Sequence, residues 1–271
     1  MISLSFVSIL LTSILAKDLT TCQKNIALKI TTMFENSVQN FQFDYCQNID
    51  DGRGYTSGII GFTTGTMDAS ALIQVYCKQY PKGAVCKYIP QLKKLDGFAA
   101  QGQDADSVKG LEGYCDAWGT ESQTETFQQA QINALEAMYY IPSQHYADEV
   151  GLTIPVGRSF FYDISIQQGP SGGADTLADM IERISQPGPF HATAPIDGGD
   201  ESLYIKNFMA FREYVLCNAQ DESTAAAWCE TLYRVQSYKY VFEQTPDFGT
   251  TAEALDNDGY PYTASCYPRL V

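Results

Sequence analysis

Two carboxylates in the first fifth of the chain have the types and spacing that acid–base chemistry requires. Glu35 ends an amphipathic helical pattern, in the tetrapeptide Phe-Glu-Asn-Ser. Asp51 follows on a glycine-rich turn, before the apolar run at residues 59–62. Two carboxylates that face each other from separate elements can protonate a glycosidic oxygen and activate a water molecule. The alternative is that Glu35 is a solvated helix-end acid and that Asp51, which precedes glycine, only shapes a turn.

The elements that must position these side chains follow from the hydrophobic periodicity. It predicts a first helix over about residues 21–38 and a short strand over residues 59–63. Asp68 is a predicted N-cap of the next helix, and residues 103–123 are interpreted as a long surface connection. The second half is predicted to be helical throughout, with Asp175 as a cap. Its predicted helices cover residues 127–140, 155–168, 175–185, 200–217 and 221–242. The expected fold class is mainly α (α+β), with one small β element.

The charge of the chain restricts its partners. There are 32 acidic and 17 basic residues among 271, a formal net charge of −15. Such a chain repels nucleic acid and anionic membranes and attracts polycations, although acidity can also serve solubility alone. Residues 1–16 form an uncharged, mostly apolar run, which predicts a secretory signal peptide that is cleaved near Lys17. This run is too short to span a bilayer.

The cysteine count predicts a disulfide framework. All eight cysteines follow the predicted signal, and an even count in a secreted chain favours four disulfides. Metal binding is the alternative, but the chain has no Cys-x-x-Cys pair and only two histidines. The short loops Cys77–Cys86 and Cys217–Cys229 are the predicted pairs, and no metal or organic cofactor is expected.

Three further motifs lack the structural context that their chemistry needs. The glycines at positions 52, 54 and 58 do not follow a predicted strand, which a dinucleotide site requires. Residues 169–173 match Gly-x-Ser-x-Gly but follow a helical pattern. Residues 256–259 lack the ligands of a calcium loop and are interpreted as a turn. By contrast, Asp163, Arg212 and Arg234 lie within apolar helix faces, where burial is tolerable only if the charges pair.

Segments along nearly the whole chain resemble chitosanases of glycoside hydrolase family 46. They include Glu-Asn-Ser at 35–37, Asp-Gly-Arg-Gly-Tyr-Thr at 51–56 and Phe-Gln-Gln-Ala-Gln at 127–131. Further matching segments are 59–62, 65–66 with Asp68, 87–94, 162–163, 169–170 and 198–201. The chain departs from the family pattern at Gln168, where several relatives have histidine, and in its eight cysteines.

This resemblance implies a lysozyme-like fold of two lobes with a substrate cleft between them, in one catalytic domain over residues 17–271. It implies that Glu35 is the general acid and Asp51 the general base, with Thr56 helping to place the attacking water. The implied cleft residues that contact the sugar are Ser37, Tyr45, Arg53 and Asp68. The implied supporting network of the catalytic lobe consists of Asp163, Arg212 and Arg234.

The resulting hypothesis is a secreted, monomeric endo-chitosanase that cleaves β-1,4 links with inversion. Its substrate would be chitosan, whose ammonium groups suit an acidic chain and carboxylates such as Asp68. Two alternatives remain open: a lysozyme-like hydrolase of an N-acetylated polysaccharide, and a non-catalytic carbohydrate-binding protein. Neither nucleic acid nor membrane is an expected partner.

Overall fold

The computed structural model of the protein describes residues 18–268 and residue 270. The predicted signal peptide, residues 1–16, lies outside these described residues. Of the helices that the structure describes, none combines the length and the apolar composition that a membrane span requires.

Helix α1 (Thr21–Asn36) carries Glu35 in its last turn. It begins with a capping box, in which Thr20 and Gln23 each satisfy the other's backbone N–H group. It ends because Ser37 adopts a left-handed conformation, with φ of 56°. The helix is therefore two residues shorter than predicted, and Glu35 projects from its very end.

A small antiparallel sheet follows α1. Its strands are β1 (Cys46–Asn48), β2 (Tyr55–Ser57) and β3 (Phe62–Thr63), and Thr56 of β2 lies opposite Gln47 and Thr63. The strand predicted over residues 59–63 is confirmed only at residues 62–63, because residues 58–61 form the turn between β2 and β3. Gly58 starts this turn at a φ of 74°, where a Cβ atom would lie 2.7 Å from the Trp118 ring.

Helices pack around this sheet. They are α2 (Asp68–Gln79), α3 (Ile89–Ala99), α4 (Tyr114–Glu121) and α5 (Glu125–Leu135), with a 3₁₀ turn at Ala84–Tyr88. The surface connection predicted at residues 103–123 is wrong in its second half, where α4 lies. Tyr114 and Trp118, one helical turn apart, are both fully buried, and the Trp118 indole donates to the Phe43 carbonyl. The burial of these two rings stabilises α4, although the polar residues around them suggested a surface connection.

The rest of the chain is mainly helical. After a π turn at Glu136–Tyr140 come α6 (Ile141–Val150), α7 (Pro155–Gln168), α8 (Leu177–Ser185) and α9 (Glu201–Cys217). A 3₁₀ turn at Pro195–Asp197 precedes α9. Then follow α10 (Glu222–Cys229), α11 (Leu232–Gln244), β4 (Thr251–Leu255) and β5 (Pro261–Ser265).

Three predictions about this half are wrong. It is not helical throughout, because β4 and β5 pair as an antiparallel hairpin that packs on α11. The helix predicted over residues 221–242 is two helices, separated at residues 230–231. Asp175 does not cap α8, because its buried carboxylate instead accepts hydrogen bonds from Arg183 and from the Gln220 backbone.

The buried apolar side chains form two cores, which define two lobes. The sheet lobe is built on the core between Phe41 and Leu135, and the helical lobe on the core of α6–α9, α11 and the β4–β5 hairpin. Helix α1 joins them, since Leu28 packs in the first core and Ile30 in the second. The expected fold class, mainly α with two lobes, is confirmed.

All eight cysteines are paired, which confirms the prediction of four disulfides. The two predicted pairs, Cys77–Cys86 and Cys217–Cys229, are both present. Cys46–Cys115 ties β1 to α4, and Cys22–Cys266 ties α1 to the end of the hairpin. Each lobe is therefore cross-linked within its own elements.

Candidate active site

A polar pocket with a volume of about 590 Å³ lies between the two lobes. Its size is in the range of ordinary ligand sites. Three parts of the chain supply its walls: the end of α1, the region of the small sheet, and the helices of the helical lobe. The lining residues are Glu35, Asn36, Ser37, Gln42, Tyr45, Ile49, Arg53, Thr56, Ile60, Gly61, Ile166, Gln167, Trp228 and Arg234.

Glu35 enters the pocket with one of its carboxylate oxygens engaged. Oε1 accepts a hydrogen bond from Arg234 Nη1 at 2.7 Å, and 24% of the side chain is exposed. None of the hydrogen bonds that the structure shows among the described residues uses Oε2. The carboxyl group is thus held from the helical lobe while its second oxygen can meet a ligand.

Arg234 belongs to a buried network of charges behind Glu35. Its Nη2 lies 2.7 Å from Asp163 Oδ1, and Arg212 Nη1 lies 2.7 Å from Asp163 Oδ2. Asp163 and Arg212 are fully buried and Arg234 is nearly so. The sequence prediction that these three charges pair is therefore confirmed, and the structure adds Glu35 as the end of the chain.

The pKa values in this network follow from burial and pairing. Burial by itself raises the pKa of Asp163, but the charges of Arg234 and Arg212 and their hydrogen bonds outweigh it, so the pKa is lowered. Burial likewise works against the charged form of Arg234, yet Asp163 and Glu35 raise its pKa. Asp163 therefore favours its anionic form, which keeps Arg234 charged beside Glu35.

Two consecutive glutamines complete the environment of Arg212. Its Nη2 donates to Gln167 Oε1 at 2.7 Å, and its Nε donates to Gln168 Oε1 at 3.0 Å. Gln168 Nε2 then donates to the Asp175 carbonyl at 3.0 Å. Gln168, which departs from the family pattern, thus accepts a hydrogen bond from Arg212 in the network. It also donates one to the loop between α7 and α8.

Asp51 lies on the bend between β1 and β2, where it pairs with Arg53. Its Oδ1 accepts from the Arg53 backbone N–H at 3.1 Å, and its Oδ2 accepts from Arg53 Nε and Nη2 at 2.8 and 2.6 Å. Arg53 lines the pocket, whereas Asp51 is not part of its lining. Because 53% of the Arg53 side chain is exposed, this ion pair is screened by water and easily exchanged.

Thr56 reaches the pocket from the middle of β2. It is 7% exposed, and no described residue forms a hydrogen bond with its Oγ1. A buried hydroxyl without a protein partner needs another partner, such as a water molecule or a ligand. The structure thus leaves Thr56 Oγ1 available for a molecule in the pocket.

Of the four residues predicted to contact a sugar, three line the pocket and one does not. Ser37 and Tyr45 line the pocket with Arg53, but Asp68 does not. Asp68 is the first residue of α2 rather than its N-cap, a position that Met67 takes. Its Oδ1 accepts from the Thr63 and Ala69 backbone N–H groups at 2.9 and 2.8 Å. Burial raises the pKa of Asp68, and these hydrogen bonds lower it only in part.

Gln167 and Trp228 are among the pocket residues that sequence reasoning did not name as candidates. Gln167 is an ordinary polar residue in a helical pattern, so nothing in the sequence marks it. Trp228 does carry a signal, since it is one of two tryptophans and directly precedes Cys229. Within residues 18–268 and residue 270, no group of three or more His, Cys, Asp or Glu side chains is placed to hold a metal ion.

Two carboxylates at one cleft, here Glu35 in its wall and Asp51 paired with the lining residue Arg53, are typical of glycoside hydrolases. The comparison with known families agrees with this class. The chain belongs to glycosyl hydrolase family 46, whose family model matches residues 29–244.

Individual relatives cover most of the chain. A chitosanase of Bacillus subtilis (strain 168) is 31% identical over 232 residues, which are 86% of this chain and 81% of the relative. The structure of a mutant chitosanase from Bacillus subtilis MY002, complexed with 6 GlcN, superposes with a TM-score of 0.82 at 30% identity, over 92% of this chain and 100% of that one. The complex of a Gynuella sunshinyii chitosanase with chitotetraose gives a TM-score of 0.80 at 29% identity, over 91% of this chain and 98% of that one.

Proposed function

We propose that the protein is an endo-chitosanase that hydrolyses β-1,4 links in chitosan with inversion at the anomeric carbon. The observation that carries this proposal is the hydrogen bond from Arg234 to Glu35 at the pocket between the lobes. Its membership of family 46 and the activity named for its relatives support the choice of substrate. We further propose that residues 17–271 act as one secreted, monomeric catalytic domain.

Glu35 is the proposed general acid. Because Arg234 occupies Oε1, the proton that is transferred to the leaving glycosidic oxygen belongs on Oε2. When the proton leaves, a negative charge develops on Glu35, and the neighbouring guanidinium stabilises it. Asp163 in turn keeps Arg234 in place, since its carboxylate binds two of the arginine nitrogens.

Asp51 is the proposed general base, with Thr56 as its assistant. An inverting enzyme needs a carboxylate that holds a water molecule on the face of the sugar opposite to the acid. Thr56 Oγ1, which has no partner among the described residues, suits such a water. The Arg53 side chain occupies Oδ2 of Asp51 through two nitrogens, so we infer that bound substrate draws this side chain aside and frees Oδ2.

The proposed substrate is a polycation, and the electrostatics of the chain favour it. A net charge of −15 attracts a polymer of ammonium groups over the distance at which salt does not screen it. The hydrogen bonds that Asp68 accepts from Thr63, Thr66 and Ala69 all use Oδ1 and leave Oδ2 free of them. We propose that this oxygen pairs with a glucosamine ammonium group in an extension of the pocket.

A reducing-sugar assay on three polymers tests the proposal. We expect rapid release of reducing ends from soluble chitosan, with an early fall in viscosity because the cuts are internal, and little release from chitin or peptidoglycan. Preference for chitin or peptidoglycan would favour a hydrolase of N-acetylated polymers. Binding without release from any polymer would favour a non-catalytic carbohydrate-binding protein.

A further inference from the structure

The two tryptophans of the chain have opposite environments. Trp118 is fully buried, donates its indole N–H to the Phe43 carbonyl, and contacts the rings of Phe62, Tyr114 and Phe127. Trp228 lies half-buried at the pocket. No described residue accepts a hydrogen bond from its indole N–H, and no described aromatic ring stacks on it.

The backbone around Trp228 is nevertheless firmly anchored. The Cys217–Cys229 disulfide closes the segment that contains α10, directly beside Trp228. The Trp228 carbonyl accepts hydrogen bonds from the Thr231 hydroxyl at 2.6 Å and from the Thr231 backbone N–H at 2.9 Å. The backbone that carries the ring is therefore held by a disulfide and two hydrogen bonds, although the described residues offer no partner to the indole N–H.

This support is connected to the catalytic network. Gln167 Nε2 donates to the Thr231 hydroxyl at 2.7 Å, and Gln167 Oε1 accepts from Arg212 Nη2 at 2.7 Å. Arg212 pairs with Asp163, which holds Arg234 and through it Glu35. The same hydrogen-bond chain thus sets the position of Trp228 and of the proposed acid.

We propose that Trp228 is a substrate-binding residue that stacks on a glucosamine ring next to the cleavage site. A tryptophan face attracts the C–H face of a sugar by burial of apolar surface, and it attracts an ammonium group through its π electrons. An N-acetyl group carries no charge and loses the second contribution. Trp228 therefore also favours the deacetylated polymer over the acetylated one. This inference rests on the proposed chitosanase function.

Tryptophan fluorescence of the Glu35→Gln variant tests the proposal directly, because we expect this variant to bind the substrate without cleaving it. Trp118 is sealed in the core, so a change in emission on titration with a glucosamine hexamer reports Trp228. We expect a saturable change in the Glu35→Gln protein and none in Glu35→Gln with Trp228→Phe. In calorimetry, the double variant should still bind, but more weakly.

Kinetics separates substrate binding from a merely structural role. In the otherwise wild-type enzyme, Trp228→Ala should raise KM for the hexamer about tenfold and change kcat much less, the effect of one lost ring contact. Trp228→Phe should fall between, which keeps the test valid if the alanine variant does not fold. Tyr214→Ala is the matched control, since Tyr214 is an exposed aromatic outside the pocket, and it should leave both constants unchanged.

The outcomes distinguish this inference from the function on which it rests. Calorimetric binding of the hexamer without any change in fluorescence, or an unchanged KM in both Trp228 variants, would overturn the role of Trp228 alone. Absence of binding in calorimetry, together with no activity of the wild-type protein on chitosan, would overturn the proposed substrate and this inference with it.

Discussion

Arg234 donates a hydrogen bond to Glu35 across 199 positions of the sequence, with 2.7 Å between Nη1 and Oε1. The same guanidinium group holds both oxygens of the buried Asp163. Burial of an arginine costs desolvation free energy, and here two carboxylates, Asp163 and Glu35, offset that cost by pairing with it. The pair thus couples the stability of the helical lobe to the position of the proposed acid.

Replacement of the two proposed catalytic carboxylates should separate their roles. We expect Glu35→Gln to abolish nearly all turnover, because the amide cannot donate the proton that the leaving group needs. Asp51→Asn should reduce kcat at least about 10²-fold, the low end for loss of a general base. Both are measured as kcat on soluble chitosan, with Glu149→Gln as a control, since Glu149 is 52% exposed and its one ion pair within the described part of the chain is with His145. Wild-type rates in Glu35→Gln would contradict the assignment.

The stereochemistry of the first product should show inversion. In the proposed mechanism, a water molecule held by Asp51 attacks from the face opposite to the leaving group, so a β-linked substrate should release the α-anomer. This geometry requires about 6.5–9.5 Å between the two carboxyl groups in the complex, against about 5–5.5 Å for a nucleophilic pair. Proton NMR during the first minutes of hydrolysis measures the anomer, and an initial excess of the β-anomer would exclude the inverting mechanism.

Loss of the central carboxylate of the network should be severe. Asp163→Asn leaves Arg212 and Arg234 buried without their shared anion, so we expect the free energy of unfolding to fall by about 3–5 kcal/mol. The measurement is urea denaturation followed by circular dichroism. Glu213→Gln, which removes a partly exposed pair with Lys239, should cost no more than about 1 kcal/mol. Equal losses of unfolding free energy in the two variants would show that the buried network stabilises the fold no more than a partly exposed ion pair does.

Acid should destabilise the protein through the same group. The pKa of Asp163 in the folded protein is lowered from its ordinary value of 3.8, so the folded state binds the proton less readily than the unfolded chain does. Its contribution to stability is therefore complete above about pH 4 and is lost as the pH falls through the lowered pKa. Denaturation midpoints between pH 2 and pH 6 should show this decline, and a stability that does not change over that range would contradict it.

Gln168 offers a matched pair of substitutions. Gln168→Leu removes the acceptor of the buried Arg212 Nε, which we expect to cost about 1–3 kcal/mol of unfolding free energy. Gln168→His introduces the residue of several relatives and keeps a ring nitrogen that can accept, so its cost should be smaller. Thermal denaturation of both variants compares them, and an equal or greater loss in the histidine variant would show that shape rather than hydrogen bonding matters here.

Salt should weaken the action on chitosan. The attraction between an acidic protein and a polyamine is screened beyond a Debye length of about 8–10 Å at 0.10–0.15 M salt, so KM should rise with ionic strength. It should rise too above about pH 7, as the amino groups of the substrate lose their protons. A neutral oligosaccharide serves as the control. If KM for chitosan responded to neither variable, electrostatic attraction would have no part in binding.

Local patterns carried the predictions that succeeded. Helix α7 begins and ends as predicted, because a proline favours its first position and a glycine follows its last. The cysteine pairs 77–86 and 217–229 could also be predicted from local sequence, because the ends of a short loop come together without help from the rest of the fold. Glu35 was placed on α1 by the apolar stripe beside it.

Predictions failed where distant contacts override the local pattern. Residues 59–60 have the composition of a strand, yet they form a turn in which the Gln131 side chain accepts from the Ile59 backbone N–H. The β4–β5 hairpin is stabilised on α11, where the Ser237 hydroxyl bonds to Leu255. Short-range periodicity contains no information about such partners.

The sequence by itself determined the chemistry that the protein can offer: two carboxylates, an acidic surface, a disulfide framework and three charges in apolar helix faces. Only the tertiary structure decided which of these groups meet. It joined Glu35 to Arg234, paired Asp51 with Arg53, and brought Trp228 to the same pocket. The physical reason is that a charge or a ring acquires its function from the burial and the partners around it, and packing of the two lobes supplies both.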